Sequence, residues 1–368
     1  MTRADRCRAV PWVVICDYPN WPSPYFAQFE AAVADRLDLR FQPDLSGLAE
    51  QPPGIVNLHR LKRLYRDASG RPDLNLAHGL VRRLGALRDR GWRVVWTVHN
   101  LYPIDRARLT EADGTATAGV LALADAVLCH TRSDAAHIRS LGASRGRVET
   151  CGWAGPPAPA APTPSAHSAG ITAAMRDSHA FLILGNIARY KDVPGLVEEF
   201  RRADIEDSRL YVVGPCRDAD LEASITRLIH HDERVVRWAR RVEPDQVRHF
   251  HDAARVAVCT YRAEGGQRFF TQALYPSSVG TAVVCGVPLV APRLRSVVEM
   301  TQGHPAFLYD TPGELSGALV RAAGTPDTRG RRPERDENAQ WKKIAEAHIE
   351  VASVWAGRPH GTARGDRL

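Results

Sequence analysis

Two α/β units in one chain, each built on a parallel sheet, are what this sequence predicts, and three observations carry the prediction. Short apolar runs of strand length alternate with segments of helical periodicity, the pattern of βα units. The alternation occurs on both sides of a proline- and alanine-rich stretch, Gly152 to Ser168, which has too few bulky apolar residues to build a core and reads as a linker or exposed loop. The length, 368 residues, is long for one hydrophobic core and comfortable for two.

In the first unit, Trp12 to Cys16 reads as a buried strand. Asp17 to Tyr25 follows, a turn-rich loop whose three prolines and three aromatic residues make it stiff enough for a pocket wall or a structural corner. Phe26, Phe29, Val33 and Leu37 mark a helix, and Ile55 to His59 a second strand. Leu76 to Arg90 is helical and stops at Gly91. Trp92 to Asn100 is a clear strand with His99 and Asn100 at its carboxyl end. Leu123 to Cys129 contains another, and Ser133 is the expected cap of the helix after it.

The second unit places strands at Phe181–Leu184, Arg209–Val213, Arg234–Val236, Arg255–Cys259 and Pro288–Ala291, then helices at Leu315–Ala323 and Gln340–Trp355. The expected division is residues 1–165, residues 170–330, a last helix within 335–357 and a disordered tail at 358–368.

Phe181 to Phe200, FLILGNIARYKDVPGLVEEF, is the most informative stretch. An apolar strand stops at Gly185, and Val193, Leu196, Val197 and Phe200 recur at helical spacing. Arg189 and Lys191 fall between, at the carboxyl end of a parallel strand, where open α/β sheets bind ligands. Two cations beside a helix amino end suit a phosphate, and an ordinary βα loop with solvated cations is the plainer alternative.

Composition narrows the classes. At 44% hydrophobic and 25% charged, the chain is neither disordered nor fibrous. The net charge is +7, carried almost entirely by arginine; Lys62, Lys191, Lys342 and Lys343 are the only lysines. A nucleic-acid binder would show a basic stripe with interleaved aromatics on one module, and none is present. Anionic substrates or a membrane surface fit the charge. Seven scattered cysteines without a C-x-x-C pair argue against a disulfide framework or zinc site and for a reducing compartment. The amino end lacks the apolar core of a signal peptide and no run approaches membrane-spanning length, so a cytoplasmic location is expected. No G-x-S-x-G or G-K-[ST] motif supports a hydrolase or NTPase. Asp218-Ala219-Asp220 reads as a helix start rather than a metal site, and His230, His231, His249 and His251 read as solvated helix positions without zinc spacing.

Taken in order, WTVHN in the first half and LGNIARYKDVPGLVEEF, LYVVGP, VAVCTYR and PSSVGTAVVCGVPLVAP in the second resemble the retaining glycosyltransferases of the GT-B fold, family 4 (group 1) in particular, over residues 12–325. The phosphate loop resembles the family form G-x-I-x-x-Y-K, here Gly185, Ile187, Tyr190 and Lys191. The resemblance implies two facing Rossmann-like domains with a C-terminal helix crossing back. It implies a UDP- or GDP-sugar on the second domain and a glycan, lipid-linked or specialised-metabolite acceptor on the first. No metal or other cofactor is expected, because basic side chains and a helix amino end neutralise the diphosphate.

By position, Lys191 corresponds to the family lysine on the donor phosphates. The family arginine directly after the glycine is replaced by Asn186, and Arg189 is the expected substitute. Ser277, Ser278, Val279 and Gly280 correspond to the segment opening the helix that points at the diphosphate, with a simple N-cap as the plainer alternative. His99 corresponds to a histidine near the donor sugar and acceptor, with a positioning and polarising role or a purely structural one. The resemblance thus implies His99, Lys191 and Arg189 as catalytic residues. Gly185, Asn186, Val242, Ser277, Ser278, Val279, Gly280 and Thr281 become donor contacts, and Asn20, Tyr25, Asn100, Tyr261, Arg262 and Glu264 acceptor or cleft contacts.

One departure stands out. The family's paired glutamates, E-x7-E, fall on Ala273 and Thr281 when counted back from Gly286-Val287-Pro288; the other register, Glu264 and Gln272, leaves nine extra residues before that strand. At least one glutamate is missing, so the ribose contact differs. A non-catalytic scaffold on the same fold, or a nucleotide-sugar epimerase, stays open as an alternative.

Overall fold

The computed structural model describes residues 10–16, 24–157, 163–230, 232–262, 271–272, 275–330 and 337–356. Asn20, His231, Glu264, Ala273 and the tail at 358–368 lie outside the described residues.

The first sheet contains β1 (Pro11–Ile15), β2 (Asp38–Gln42), β3 (Ile55–Leu58), β4 (Arg93–Val98), β5 (Ala126–Cys129) and β6 (Arg147–Thr150). Their order is β2-β1-β3-β4-β5-β6, parallel throughout. The second contains β7 (His179–Leu184), β8 (Ser208–Val213), β9 (Val235–Trp238), β10 (Val256–Val258), β11 (Leu289–Pro292) and β12 (Ala306–Tyr309). Its order is β12-β11-β10-β7-β8-β9, again parallel. Chain direction across the sheet reverses between β1 and β3 in the first and between β7 and β10 in the second, which opens a crevice at the carboxyl ends of those strands.

The central strands are continuous apolar runs because helices cover both faces. Every residue of β3 and β5 is buried. One face of the first sheet packs Val13, Val56, Val94 and Trp96 against Leu80, Leu84 and Val120 of the covering helices. There the helices Leu74–Asp89 and Glu111–Leu123 approach so closely that a Cβ on Gly119 would stand 2.3 Å from Val81 Cγ2. On the other face Trp12, Val14, Phe26 and Phe29 pack with Trp341, Ile344 and Ile349. Those last residues belong to the helix Glu337–Ala356, so the chain does cross back to the first sheet.

β2, β6 and β12 were not among the expected strands, and all three are sheet edges. An edge strand is half solvated and needs no apolar run: the residues of β2, DLRFQ, are partly or fully exposed. The proline-rich stretch ends earlier than read, because the helix Ala166–Arg176 begins inside it. Ser133 does not cap its helix; Thr131 does, accepting from the Asp134 amide. His249 and His251 are buried in the short helix Val247–Ala253 rather than solvated. Among the described residues, no helix is long and apolar enough to cross a membrane.

Candidate active site

The crevice of the second sheet is built around Lys191. β7 ends at Leu184, and Gly185 turns the chain with φ 111°, a conformation that disfavours a side chain. The backbone then crosses tightly over the end of β8: a Cβ on Gly214 would stand 2.2 Å from the Gly185 carbonyl oxygen. A short turn, Arg189–Lys191, and Asp192 at φ 46° lead into the helix Val193–Ala203. This route folds Lys191 back under the strand end, where Nζ donates to the Leu184 carbonyl at 3.2 Å. Cys259, Thr260, Tyr261 and Ser278 line the same hollow.

Lys191 is only 7% exposed. Among the described residues no carboxylate pairs with it, and burial pulls its pKa from 10.5 down to about 8. A buried ammonium without a counter-ion is costly, and a bound anion removes that cost. The helix Ser277–Val284 opens beside it. Its N-cap is Pro276, not a serine, and the amides of Ser277 and Ser278 stand in the first turn, outside the helical ladder. The Ser278 hydroxyl instead holds the Tyr261 hydroxyl at 2.6 Å. Gly280 is tightly enclosed: a Cβ there would stand 3.1 Å from Met300 Cε and the Tyr275 hydroxyl and 3.3 Å from Trp153 Cδ1.

The neighbouring cations are committed elsewhere. Arg189 is exposed and grips Asp218 with two hydrogen bonds, at 2.6 and 2.9 Å. Asp218 also caps the helix Ala219–Ile229 through the Leu221 amide. Arg262 donates to Asp192 at 2.7 Å, and its own amide to the Tyr190 carbonyl. Asn186 is exposed beside Gly185, while Thr281 and Val242 are half-buried, Val242 with Trp238 at the margin of the core.

The first sheet presents a different surface. β3, β4 and β5 are adjacent, and each is followed by a histidine: His59, His99 and His130. The rings touch in series. His59 Nδ1 and His99 Nε2 are 3.0 Å apart, and His99 Nδ1 and His130 Nε2 are 3.1 Å apart. Both ring nitrogens of His99 are therefore engaged by other histidines. Burial, followed by mutual repulsion, holds His59 and His99 well below the ordinary imidazole range; burial holds His130 at about 4. Tyr25 stands edge-on to His99 at 4.9 Å, and its buried hydroxyl has no partner among the described residues. Asn100 is half-buried next to His99.

Tyr275 joins the two surfaces. Its amide donates to the His99 carbonyl at 2.9 Å, its ring lies 4.1 Å from His130, and its hydroxyl donates to the Ala154 carbonyl. Glu299 makes a second bridge. From the helix Arg295–Met300 its carboxylate accepts the Arg132 and Ser133 amides at 2.9 and 2.8 Å, at the amino end of the helix Arg132–Ser140. Burial alone would raise this carboxyl, but the amide hydrogen bonds outweigh it and hold the group below its ordinary range. The sequence reading missed His59, His130, Tyr275 and Glu299. The histidines had a signal, three strands each followed directly by a histidine; the bridges had none. Among the described residues no group of three or more His, Cys, Asp or Glu side chains is arranged to hold a metal ion.

Residues 10–151 match the family described as Glycosyltransferase Family 4, and residues 178–324 match that described as Glycosyl transferases group 1. No curated protein matches the sequence. A solved E. coli structure described as trehalose-6-phosphate bound with UDP-2-fluoro glucose is similar at 11% identity and TM-score 0.59, over 94% of this chain and 97% of that one. Sucrose-phosphate synthase from Thermosynechococcus elongatus is similar at 14% identity and TM-score 0.58, over 95% and 97%. Anabaena HepE, in complex with UDP and glucose, is similar at 10% identity and TM-score 0.57, over 94% and 97%. At these identities the likeness shows a shared architecture, two Rossmann-like domains in the GT-B arrangement.

Proposed function

The chain belongs to the group 1 glycosyltransferases of the GT-B fold, and we propose that it moves a sugar from a UDP- or GDP-sugar to an acceptor hydroxyl, with retention at the anomeric carbon and without a metal ion. The observation that carries this reading is Lys191: a buried ammonium at the topological switch point, with no carboxylate partner among the described residues, beside the amides of Ser277 and Ser278. That combination recognises a diphosphate. UDP is favoured by what two similar structures hold, UDP-2-fluoro glucose and UDP with glucose.

In this reading the diphosphate lies between Lys191 and the helix Ser277–Val284, with Gly185 and Asn186 along its path, Thr281 towards the ribose and Val242 towards the base. As the sugar–phosphate bond lengthens, negative charge grows on the leaving oxygen and positive charge on the sugar. Lys191 and the amides of Ser277 and Ser278 stabilise the first, while the Val279 and Gly280 amides donate to the Pro276 carbonyl and line the site only through their backbone. The acceptor hydroxyl approaches on the face the diphosphate leaves, which gives retention, and the departing phosphate takes its proton. Arg189, held by Asp218, drops out of the catalytic set; Lys191 carries that role alone. His99 shapes the cleft wall, because both its ring nitrogens are already bound.

A panel of UDP- and GDP-sugars with glycan, lipid-linked and small-molecule acceptors, read by nucleoside diphosphate release with and without EDTA, tests the proposal. Release with one donor class, unaffected by EDTA, and an α-linked product from an α-donor are expected. Isomerised donor in the absence of acceptor would instead identify an epimerase. No thermal shift with any nucleotide, together with an unchanged Lys191→Ala variant, would identify a scaffold.

A further inference from the structure

His59, His99 and His130 form one hydrogen-bonded chain whose two ends meet oxygens that only accept; the Cys151 thiol, 3.8 Å from His130 Nδ1, is a weak donor at longer range than the Gly152 carbonyl. At one end His130 Nδ1 lies 2.8 Å from the Gly152 carbonyl oxygen. At the other, His59 Nε2 lies 2.8 Å from Asn57 Oδ1. The Asn57 amide cannot be reversed. The Trp12 indole N–H, a donor only, faces Oδ1 at 3.4 Å, and Nδ2 faces the Val95 carbonyl at 3.4 Å and Thr97 Oγ1 at 3.0 Å. Thr97 in turn donates to His348 Nε2, because His348 Nδ1 is committed to the Ile344 carbonyl at 2.8 Å.

Protons can therefore be counted. The chain contains four contacts, from Gly152 to His130, His130 to His99, His99 to His59 and His59 to Asn57. Each needs one proton, and three neutral imidazoles supply only three. The chain is complete only with a fourth proton, a single positive charge shared by three rings. Burial opposes this charge, so it needs a compensating negative charge nearby, and repulsion between the rings further opposes a second one.

The titratable groups facing the chain come from five elements. They are Arg60 after β3, Tyr25 on the helix Pro24–Val33, Cys151 after β6, Tyr275 before the helix Ser277–Val284 and His348 on the last helix. Among the described residues no carboxylate is hydrogen-bonded to any of the three rings. An anionic ligand supplies the negative charge that stabilises the fourth proton, since none of these described groups is a carboxylate. Tyr275 supplies the connection, since it touches His99 and His130 and is followed directly by Pro276, the cap of the helix Ser277–Val284.

We propose that His59, His99 and His130 act as one proton-binding unit, which takes up a single proton from solvent when an anionic diphosphate occupies the amino end of the helix Ser277–Val284. This rests on the reading of that helix end as the donor site. The proton returns to solvent when the diphosphate leaves, and no substrate bond is broken in the exchange. The three residues are positioning residues: the charge they gain fixes Tyr275, and through it the first turn of the helix.

The test is nitrogen NMR on the full-length wild-type protein labelled in histidine, titrated across about pH 5 to 8, where imidazoles report, with and without UDP-glucose. UDP-glucose has no titrating phosphate in this range, so it contributes no proton of its own. The expected result is one shared transition for all three rings, raised by at least about half a pH unit (about threefold in proton affinity) on donor saturation. Tyr275→Leu should keep the transition and lose the donor-dependent rise. Three separate transitions, three rings that stay neutral to the acid limit with donor bound, or a shared transition that ignores bound donor would each overturn the proposal. Amide signals of Ser277 to Gly280 report donor binding independently. If they stay still with both UDP-glucose and GDP-mannose, the donor-site reading fails and the coupling with it, whereas a failed coupling leaves those signals moving.

Discussion

The two switch points of this molecule share a topology and end in opposite chemistry. Where β7 and β10 part, Lys191 is buried without a counter-ion among the described residues, and helix amides are left outside their ladder. At the carboxyl ends of β3, β4 and β5, both nitrogens of each histidine ring are taken by another ring, an amide or a carbonyl. Anion binding is thus not a property of the fold but of which polar groups the fold leaves unmatched. The second crevice waits for an anion; in the first, every ring nitrogen already faces a partner, and the histidine chain is one proton short. Glu299 and Tyr275 hold the two against each other.

The sharpest way to break this comparison is to remove the unmatched charge. Lys191→Ala should weaken donor binding by about a hundredfold or more, on the scale of one lost charge-assisted contact in a desolvated site. The empty variant should melt no lower than wild type, because an uncompensated buried cation has gone. The same group sets a pH signature. Its pKa in the folded protein, about 8, lies below the ordinary 10.5, so the unfolded chain binds more protons between those values. Stability of the empty protein should therefore rise with pH across that window, while donor affinity falls as Lys191 loses its proton. Denaturation curves and titration calorimetry at matched pH read the two opposite trends.

Cutting the bridges comes next in size. Glu299→Ala removes a carboxylate from two amides at a helix amino end, which should lower stability by about 1–2 kcal/mol. Because this carboxyl titrates below its ordinary range, its contribution is present at neutral pH and lost as pH falls through the folded value. Urea melts of wild type and variant should converge in acid. The smallest effect is expected at Arg189. It is exposed and already paired with Asp218, so Arg189→Ala should change donor affinity by less than about threefold. A large loss there would show that Arg189 leaves Asp218 for the ligand, and would blur the distinction between the crevices.

Much of this was legible in the sequence, and the limits have physical causes. Central strands announced themselves because burial on both faces demands unbroken apolar runs; the edges β2, β6 and β12 did not, because solvent relaxes that demand. Lys191 could be singled out because strand, glycine turn, lysine and helix are contiguous. The fate of Arg189 could not, since Asp218 lies 29 residues away. The histidine chain was half visible: strand-end histidines are readable, but that their strands are neighbours is not. Glu299 sits 167 residues from the Arg132 amide it binds, and no local pattern marks it.

Calorimetric titration of UDP-glucose and GDP-mannose into wild type, Arg189→Ala and Lys191→Ala tests the central claim most directly. Saturable binding of one donor to wild type and Arg189→Ala is expected, with a loss of about two orders of magnitude or more in Lys191→Ala while its fold stays intact. Equal affinity of Lys191→Ala and wild type for the same donor would contradict it.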